Sequence, residues 1–305
     1  VSLQPGRVLK RMRGFYYVDI GESELRLCRV KGSLFQGHAY KKKIAVGDWV
    51  EVDISAAEDS GLIHQVQTRT SQLTRSIRDN RFEQVLVSNV DFLLIVAAIR
   101  NPTFSFGLVD RLIVAGIRGN LTPILIVNKA DLSSESEIAP IQELYESLGY
   151  QVLCTSVPEG SPEHPGCEVL RNLIKGQTSV FFGHSGVGKT SLLKALFPNQ
   201  KLRIGQIDKK RNKGKHTTSI AEMFPLPEGG YLVDTPGVRE LALPFSREEL
   251  DQYFVEFAPF LGRCHFKSCL HLNEPRCLIK EAVDSKTISP QRYHSYCSIL
   301  QSLDS

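Results

Sequence analysis

The sequence holds no apolar run of the roughly 18–20 residues needed to cross a bilayer, which excludes a chain anchored by a helical membrane span. Its first residues, VSLQPGRVLKRMRG, lack the continuous apolar core of a secretion signal. The seven cysteines are an odd number, which argues against a disulfide framework. Neither sign of charge is in large surplus, since the net is only +4. That charge is unevenly spread, however. Residues 41–43 are Lys-Lys-Lys, and residues 201–215 carry seven Lys or Arg against one Asp. Local basic patches on a nearly balanced chain point to a polyanion met at chosen places.

With 42% hydrophobic and 23% charged residues, the chain has a globular composition. A length of 305 residues predicts two or three units. Residues 1–72 read as short strands (RGFYYVDI, ELRLCRV, DWVEVDI, GLIHQVQ) punctuated by glycines, the pattern of a small β-barrel. An OB-fold suits a polyanion partner, and composition alone leaves an SH3-like barrel open. The segment TSQLTRSIRDNRFEQ reads as a polar connection. From residue 85 the apolar runs VLVSNVDFLLIVAAI and PILIVNK lack strict alternation, as strands covered on both faces do. Helical patterns alternate with them, so residues 80–244 predict an α/β unit with a mainly parallel sheet. Residues 245–305 form a third unit, opened by a Ser246/Glu249 capping box ahead of a predicted helix, SREELDQYFVEF.

The central unit contains GHSGVGKT, which is Gly183, His184, Ser185, Gly186, Val187, Gly188, Lys189 and Thr190, with Ser191 next. It follows the apolar run SVFF and precedes SLLKALF, the strand–loop–helix setting in which GxxxxGK[ST] cradles phosphate. Glycines let backbone N–H groups converge on the anion, and the helix N-terminus adds field of the same sign. Lys189 is predicted to reach the β- and γ-phosphates and Thr190 to ligate Mg²⁺. DTPG at 234–237 closes another strand. Its Asp234 suits the magnesium shell, and Gly237 can offer its N–H to a γ-phosphate. Between them GKHTT supplies Thr217 and Thr218, either of which could complete that shell.

Upstream of all this stands NKAD, residues 128–131. The Asp131 carboxylate has two acceptors for the N1–H and exocyclic amine of guanine, which adenine cannot match. Asn128 can brace the loop or reach the far edge of the base, the Lys129 stem can lie along the ring, and Thr155 with Ser156 can add a backbone contact to the guanine carbonyl. Base-reading motifs ordinarily follow the phosphate loop. Here they precede it by some fifty residues, so the motifs of a GTP switch stand in rotated order. Circular permutation preserves spatial contacts when the old ends lie close together. It also puts the phosphate-sensing DTPG about ten residues before the C-terminal unit. Where Ras-like enzymes carry a water-orienting Gln after DxxG, this chain has Val238; His216 is the candidate replacement.

In the last unit, Cys264, Cys269, His271 and Cys277 have the C-x4-C-x-H-x5-C spacing of a closed tetrahedral Zn²⁺ site, with His265 as a competing ligand.

The motif order, the phosphate loop, GKHTT, DTPG and the Cys/His pattern together resemble the ribosome small subunit-dependent GTPase A family of bacteria. The resemblance covers nearly the whole chain. It implies an N-terminal OB-fold barrel, a central circularly permuted P-loop GTPase domain and a C-terminal, mostly helical zinc-binding domain. It further implies a cytoplasmic, mostly monomeric GTP hydrolase acting late in small-subunit maturation, stimulated by the subunit and bound to its 16S rRNA. Lys41, Lys42 and Lys43, with Lys209, Lys210 and Arg211, are candidate RNA contacts. The family's usual phosphate loop has Gln and Ser where this chain has His184 and Thr190. Two other readings are a translation factor on assembled ribosomes and a GTP-sensing zinc/RNA-binding module without turnover.

Overall fold

In the computed structural model, which describes residues 2–12, 14–22, 24–31, 44–57, 60–77, 82–160, 165–198, 221–234 and 246–303, the first five strands close on themselves. They are β1 (Leu3–Met12), β2 (Phe15–Asp19), β3 (Arg26–Val30), β4 (Trp49–Ala57) and β5 (Ser60–Val66). Antiparallel pairings join β1 to β2, β2 to β3, β4 to β5 and β1 to β4, and a parallel β3–β5 pairing completes the ring. That is the closure of an OB-type barrel. The period-two alternation aims Tyr16 and Val18 of β2, and Val50 and Val52 of β4, into one core with Val8, Cys28 and Ile63.

The segment read as a polar connection is instead a hairpin of β6 (Gln72–Ile77) and β7 (Phe82–Ser88). Its polar residues share the strands with Leu73 and Val87, which pair directly and are fully buried. Thr74, Ser76 and Ser88 are buried there too, and polar residues at buried positions leave little hydrophobic signal.

The α/β unit follows as β8 (Phe92–Ala98), α1 (Phe106–Arg118), β9 (Thr122–Asn128), α2 (Glu135–Ser147), β10 (Gln151–Cys154), α3 (Cys167–Ile174), β11 (Thr178–Phe182), α4 (Lys189–Leu196), β12 (Glu222–Pro225) and β13 (Tyr231–Asp234). Strand order is β10-β9-β8-β11-β13-β12, parallel except for β12. The C-terminal ends of β9, β10 and β11 therefore share one edge, where ligands bind in open parallel sheets. Helices α3 and α4 cover one face. Helices α1 and α2 cover the other, in a core that runs on into the C-terminal unit through Leu250, Phe254, Phe257 and Tyr296.

The barrel joins the opposite edge of this sheet. Lys10 of β1 pairs with Glu222 of β12, and their side chains meet at 2.8 Å. Buried Arg7 lies between the rings of Trp49 and Tyr231, 5.0 and 4.5 Å from their centroids. It donates to Thr178 Oγ1 at 3.0 Å and to the Asn89 carbonyl at 2.6 Å, so the buried cation has partners from both units.

The C-terminal unit opens with the Ser246/Glu249 capping box, but on a 3-10 helix over Arg247–Tyr253 rather than an α-helix. Phe254 turns extended there (φ −100°, ψ 100°), which lets both Phe254 and Phe257 bury completely. Helices α5 (Leu278–Asp284) and α6 (Pro290–Ser302) complete the unit. Arg292 of α6 is wholly buried against the α/β unit. It meets Asp110 of α1 at 2.5 Å and Glu256 at 2.7 and 3.1 Å, and Tyr145 of α2 donates to the same Asp110 oxygen at 2.8 Å. Burial alone would lower the Arg292 pKa; the Asp110 and Glu256 carboxylates overcome it and hold the guanidinium more firmly protonated.

Removing the cation would leave two acidic groups buried without their partner. Arg292→Ala should therefore cost about 3–5 kcal/mol, read as a fall in the urea unfolding midpoint of the full chain. A midpoint within error of wild type would show that the network carries no net stability.

Candidate guanine-nucleotide and metal sites

Strand β9 runs straight into NKAD. Asn128, its last residue, is 2% exposed and hydrogen-bonded on both sides. Its Nδ2 donates to the Val187 carbonyl at 2.8 Å, and its Oδ1 accepts from Thr155 Oγ1 at 2.9 Å. One side chain thus ties the base-reading motif to the phosphate loop and to the segment after β10. Lys129 takes a left-handed backbone (φ +60°), which turns the chain sharply out of the strand. Its Nζ donates to the Asn101 carbonyl in the loop after β8. Asp131 sits in a short 3-10 turn, Ala130–Leu132, where Ser156 Oγ donates to its Oδ1. The backbone adds Ala130 N–H to the Thr155 carbonyl at 3.2 Å. Asn128, Lys129, Asp131, Thr155 and Ser156 therefore form one surface with Val187, although 59 residues separate Asn128 from Val187.

The phosphate loop leaves β11 at Phe182 and enters α4 at Lys189. A Cβ at Gly183 would lie 2.1 Å from the Val96 carbonyl oxygen, so the loop can start against β8 only as glycine. Gly188, the N-cap of α4, has φ +93°, and a Cβ there would fall 2.4 Å from Asn128 Nδ2. The same residue thus sets the turn and permits the Asn128 tie. Lys189 Nζ donates to the carbonyls of Gly183 at 2.7 Å and His184 at 2.8 Å, which holds the ammonium over its own loop. Thr190 is half-buried, while Ser185, Gly186 and Ser191 are exposed. His184 is exposed too, with Nδ1 3.0 Å from the Ser185 carbonyl oxygen. It borders a cavity of about 210 Å³ with Pro102, Thr103, Val187 and the first half of α1. The backbone of Asp234 ends β13. His216, Thr217, Thr218, Gly237, Val238 and the candidate RNA contacts Lys41, Lys42, Lys43, Lys209, Lys210 and Arg211 lie outside the described residues.

In the C-terminal unit the donor atoms of Cys264, Cys269, His271 and Cys277 all fall within 4.8 Å of one another. His271 Nδ1 lies 3.4 Å from Cys277 Sγ and 3.7 Å from Cys264 Sγ, and those two sulfurs are 4.0 Å apart. These separations match the edges of a tetrahedron with metal–sulfur bonds of about 2.3 Å, roughly 3.8 Å. His265 is exposed and outside the group. Burial, followed by the adjoining thiols, pushes the Cys269 thiol up to about 12. Thiols so crowded cannot ionise together without a cation among them, and a dication would supply that charge.

Sequence spacing missed what supports these ligands. Asp251 Oδ2 lies 3.4 Å from His271 Nε2, leaving Nδ1 to face the sulfurs; such a carboxylate fixes the ring's tautomer and orientation. His271 itself has a left-handed backbone (φ +61°). Tyr293 and Tyr296 donate to the carbonyls of His271 and Leu270 at 2.6 and 2.9 Å, and Glu274 accepts from the N–H groups of Leu270 and Leu272 at 2.9 and 2.8 Å. The one available signal was that Tyr293 and Tyr296 lie three apart on a helix and so share a face.

Gly188→Ala should weaken GDP binding at least tenfold with the circular dichroism spectrum unchanged, since its Cβ would push Asn128 off the loop. Titration with a fluorescent GDP checks this, and wild-type affinity would contradict the close approach. Removing metal with a strong chelator should raise hydrogen exchange over residues 264–277 before it rises in β8–β11. Uniform exchange, or none gained, would contradict a metal-dependent C-terminal unit.

Comparison with known proteins agrees with this geometry. The model described as RsgA N-terminal domain matches residues 5–63, and that described as RsgA GTPase matches residues 66–244. Small ribosomal subunit biogenesis GTPase RsgA of Chlorobaculum parvum is 38% identical, covering 97% of both chains. Its namesake from Caldanaerobacter subterraneus is 37% identical over 97% of this chain and 94% of its own. The crystal structure of YjeQ from Thermotoga maritima superposes with a TM-score of 0.78 at 31% identity, covering 99% of each chain. That of YloQ, described as a circularly permuted GTPase, gives 0.72 at 29% identity over 99% of this chain and 96% of its own. Rotated motifs, a barrel in front and a Cys/His cluster behind thus converge with full-length similarity: the chain belongs to the RsgA GTPase family.

Proposed function

We propose that this GTP hydrolase binds the small ribosomal subunit through its rRNA and acts late in the subunit's maturation, with the nucleotide state setting its residence there. The observation that carries the enzymatic part is the Asn128 tie, which places NKAD and the phosphate loop on one edge of the sheet. The curated relatives, named for small-subunit biogenesis over nearly the full length of this chain, support the ribosomal part.

Asp131 accepts from the guanine N1–H and exocyclic amine, while Ser156 orients its carboxylate. Leaving that carboxylate unpaired against adenine costs about 1–3 kcal/mol or more, which selects GTP. The Lys129 stem flanks the base. Lys189 exchanges its loop carbonyls for the β- and γ-phosphates, and the N–H groups of Ser185–Thr190 converge on the same oxygens. Magnesium, when bound with GTP, neutralises developing charge on the phosphates. Thr190, Asp234 and one of Thr217 and Thr218 hold it. Gly237 senses the γ-phosphate, and His216 orients the attacking water in place of the missing Gln. Cys264, Cys269, His271 and Cys277 would hold Zn²⁺: three thiolates and an imidazole supply the four ligands of a closed structural site, with no position left for substrate. The protein acts as a cytoplasmic monomer, and among the described residues no helix is long and apolar enough to cross a membrane.

Multiple-turnover GTP hydrolysis, assayed beside ATP with and without purified small subunits, tests this function. Turnover should be slow alone, rise at least tenfold with small subunits and be absent with ATP. No response to small subunits, or a stronger response to assembled ribosomes, would overturn it.

A further inference from the structure

The loop between the first two cysteines of the metal cluster, RCHFKSC, presents an aromatic ring where packing does not call for one. Phe266 is 45% exposed and takes no part in the apolar core, although Leu270 and Leu272 just beyond it pack against that core. Its loop is held at both ends, because Cys264 and Cys269 belong to the close donor group. Arg263 is fastened as well, its Nη1 donating to the Pro259 carbonyl at 2.8 Å. The His265 ring meets Phe266 at 4.8 Å and 86°, an edge-to-face contact that orients the phenyl ring.

The charge along the segment that carries this ring has one sign. Arg263, Lys267 and Arg276 are exposed, and no Asp or Glu occurs between Arg263 and Leu272. The adjacent Glu274 already accepts two backbone N–H groups and faces inward. A fixed exposed aromatic ring bordered by cations is the arrangement that binds single-stranded nucleic acid, where a base stacks on the ring and cations meet the flanking phosphates. An apolar protein partner would want more apolar neighbours than one phenyl ring and fewer cations. We infer that the Arg263–Lys267 loop is a stacking site for an unpaired RNA base, with Phe266 as the platform and Arg263 and Lys267 on the adjoining phosphates.

This inference rests on the rRNA-docking reading above, and two arms of one experiment keep their failures apart. In the first, the full chain binds a labelled single-stranded uridine octamer. Phe266→Ala should weaken binding about tenfold, Phe266→Trp should restore it, and an octamer of abasic residues should bind wild type and the alanine variant alike. In the second, purified small subunits replace the octamer, and the same tenfold loss is expected. If wild type fails to bind subunits while the octamer results hold, the ribosomal reading falls and the stacking site stands. Octamer affinity unchanged by Phe266→Ala, or reduced equally for the abasic chain, overturns the stacking site, whatever happens with subunits.

Discussion

The Asn128 side chain joins NKAD to the phosphate loop, the two halves of the proposed nucleotide site. It spends its donor on the Val187 carbonyl and its acceptor on the Thr155 hydroxyl, almost completely out of solvent. A buried amide with both ends satisfied is stable, and one deprived of either partner costs about 1–3 kcal/mol. The site is therefore specified as a unit. Gly188 must lack a Cβ, β9 must end where it does, and the segment after β10 must return to the same edge. Each requirement is met by a residue far away in sequence, which explains how a rotated motif order can build an ordinary pocket. The sheet conserves neighbours and is indifferent to the order in which the chain visits them.

Rotation changes what lies at the ends. Strand β13 starts at Tyr231, whose ring covers Arg7 of the barrel and whose hydroxyl donates to Asp19 at 3.2 Å. It ends at Asp234, the first residue of DTPG. The next described residue, Ser246, opens the C-terminal unit, which Arg292 locks onto α1 and α2. Those two helices flank β9, the strand that delivers NKAD. One short strand thus has the barrel at its start and Asp234 at its end, and the unit with the Cys/His cluster grips the helices beside β9.

The legible parts of this chain were those whose chemistry is written contiguously. GHSGVGKT, NKAD and the four Cys/His positions are each written in a few neighbouring residues, and the structure brings the first two together and gathers the last four; DTPG beyond Asp234 lies outside the described residues, and the apolar runs of β8, β9 and β11 marked the buried sheet. Contacts between distant residues were not legible. Asp110 looks like a polar position within an amphipathic helix until Arg292, 182 residues later, is brought against it. Asp251 sits in a stretch patterned as a helix, and nothing in its spacing to His271 marks it as the ring's anchor. The β6–β7 hairpin hid because several of its buried positions are the polar Thr74, Ser76 and Ser88, and the 3-10 helix at 247–253 hid because a capping box announces a helix without saying which kind. The pattern is physical: local propensity and motif chemistry are local in sequence, whereas polar satisfaction in a core is not.

A single nucleotide must reach from Asp131 to Lys189. The most direct test is a crystal structure of the full chain with GDP and Mg²⁺. The guanine N1 and exocyclic amine should lie within hydrogen-bond distance of the Asp131 carboxylate, and the β-phosphate within reach of Lys189 Nζ, in one continuous ligand. A ligand whose phosphates sit in the glycine loop while its base turns away from Asp131 would contradict it.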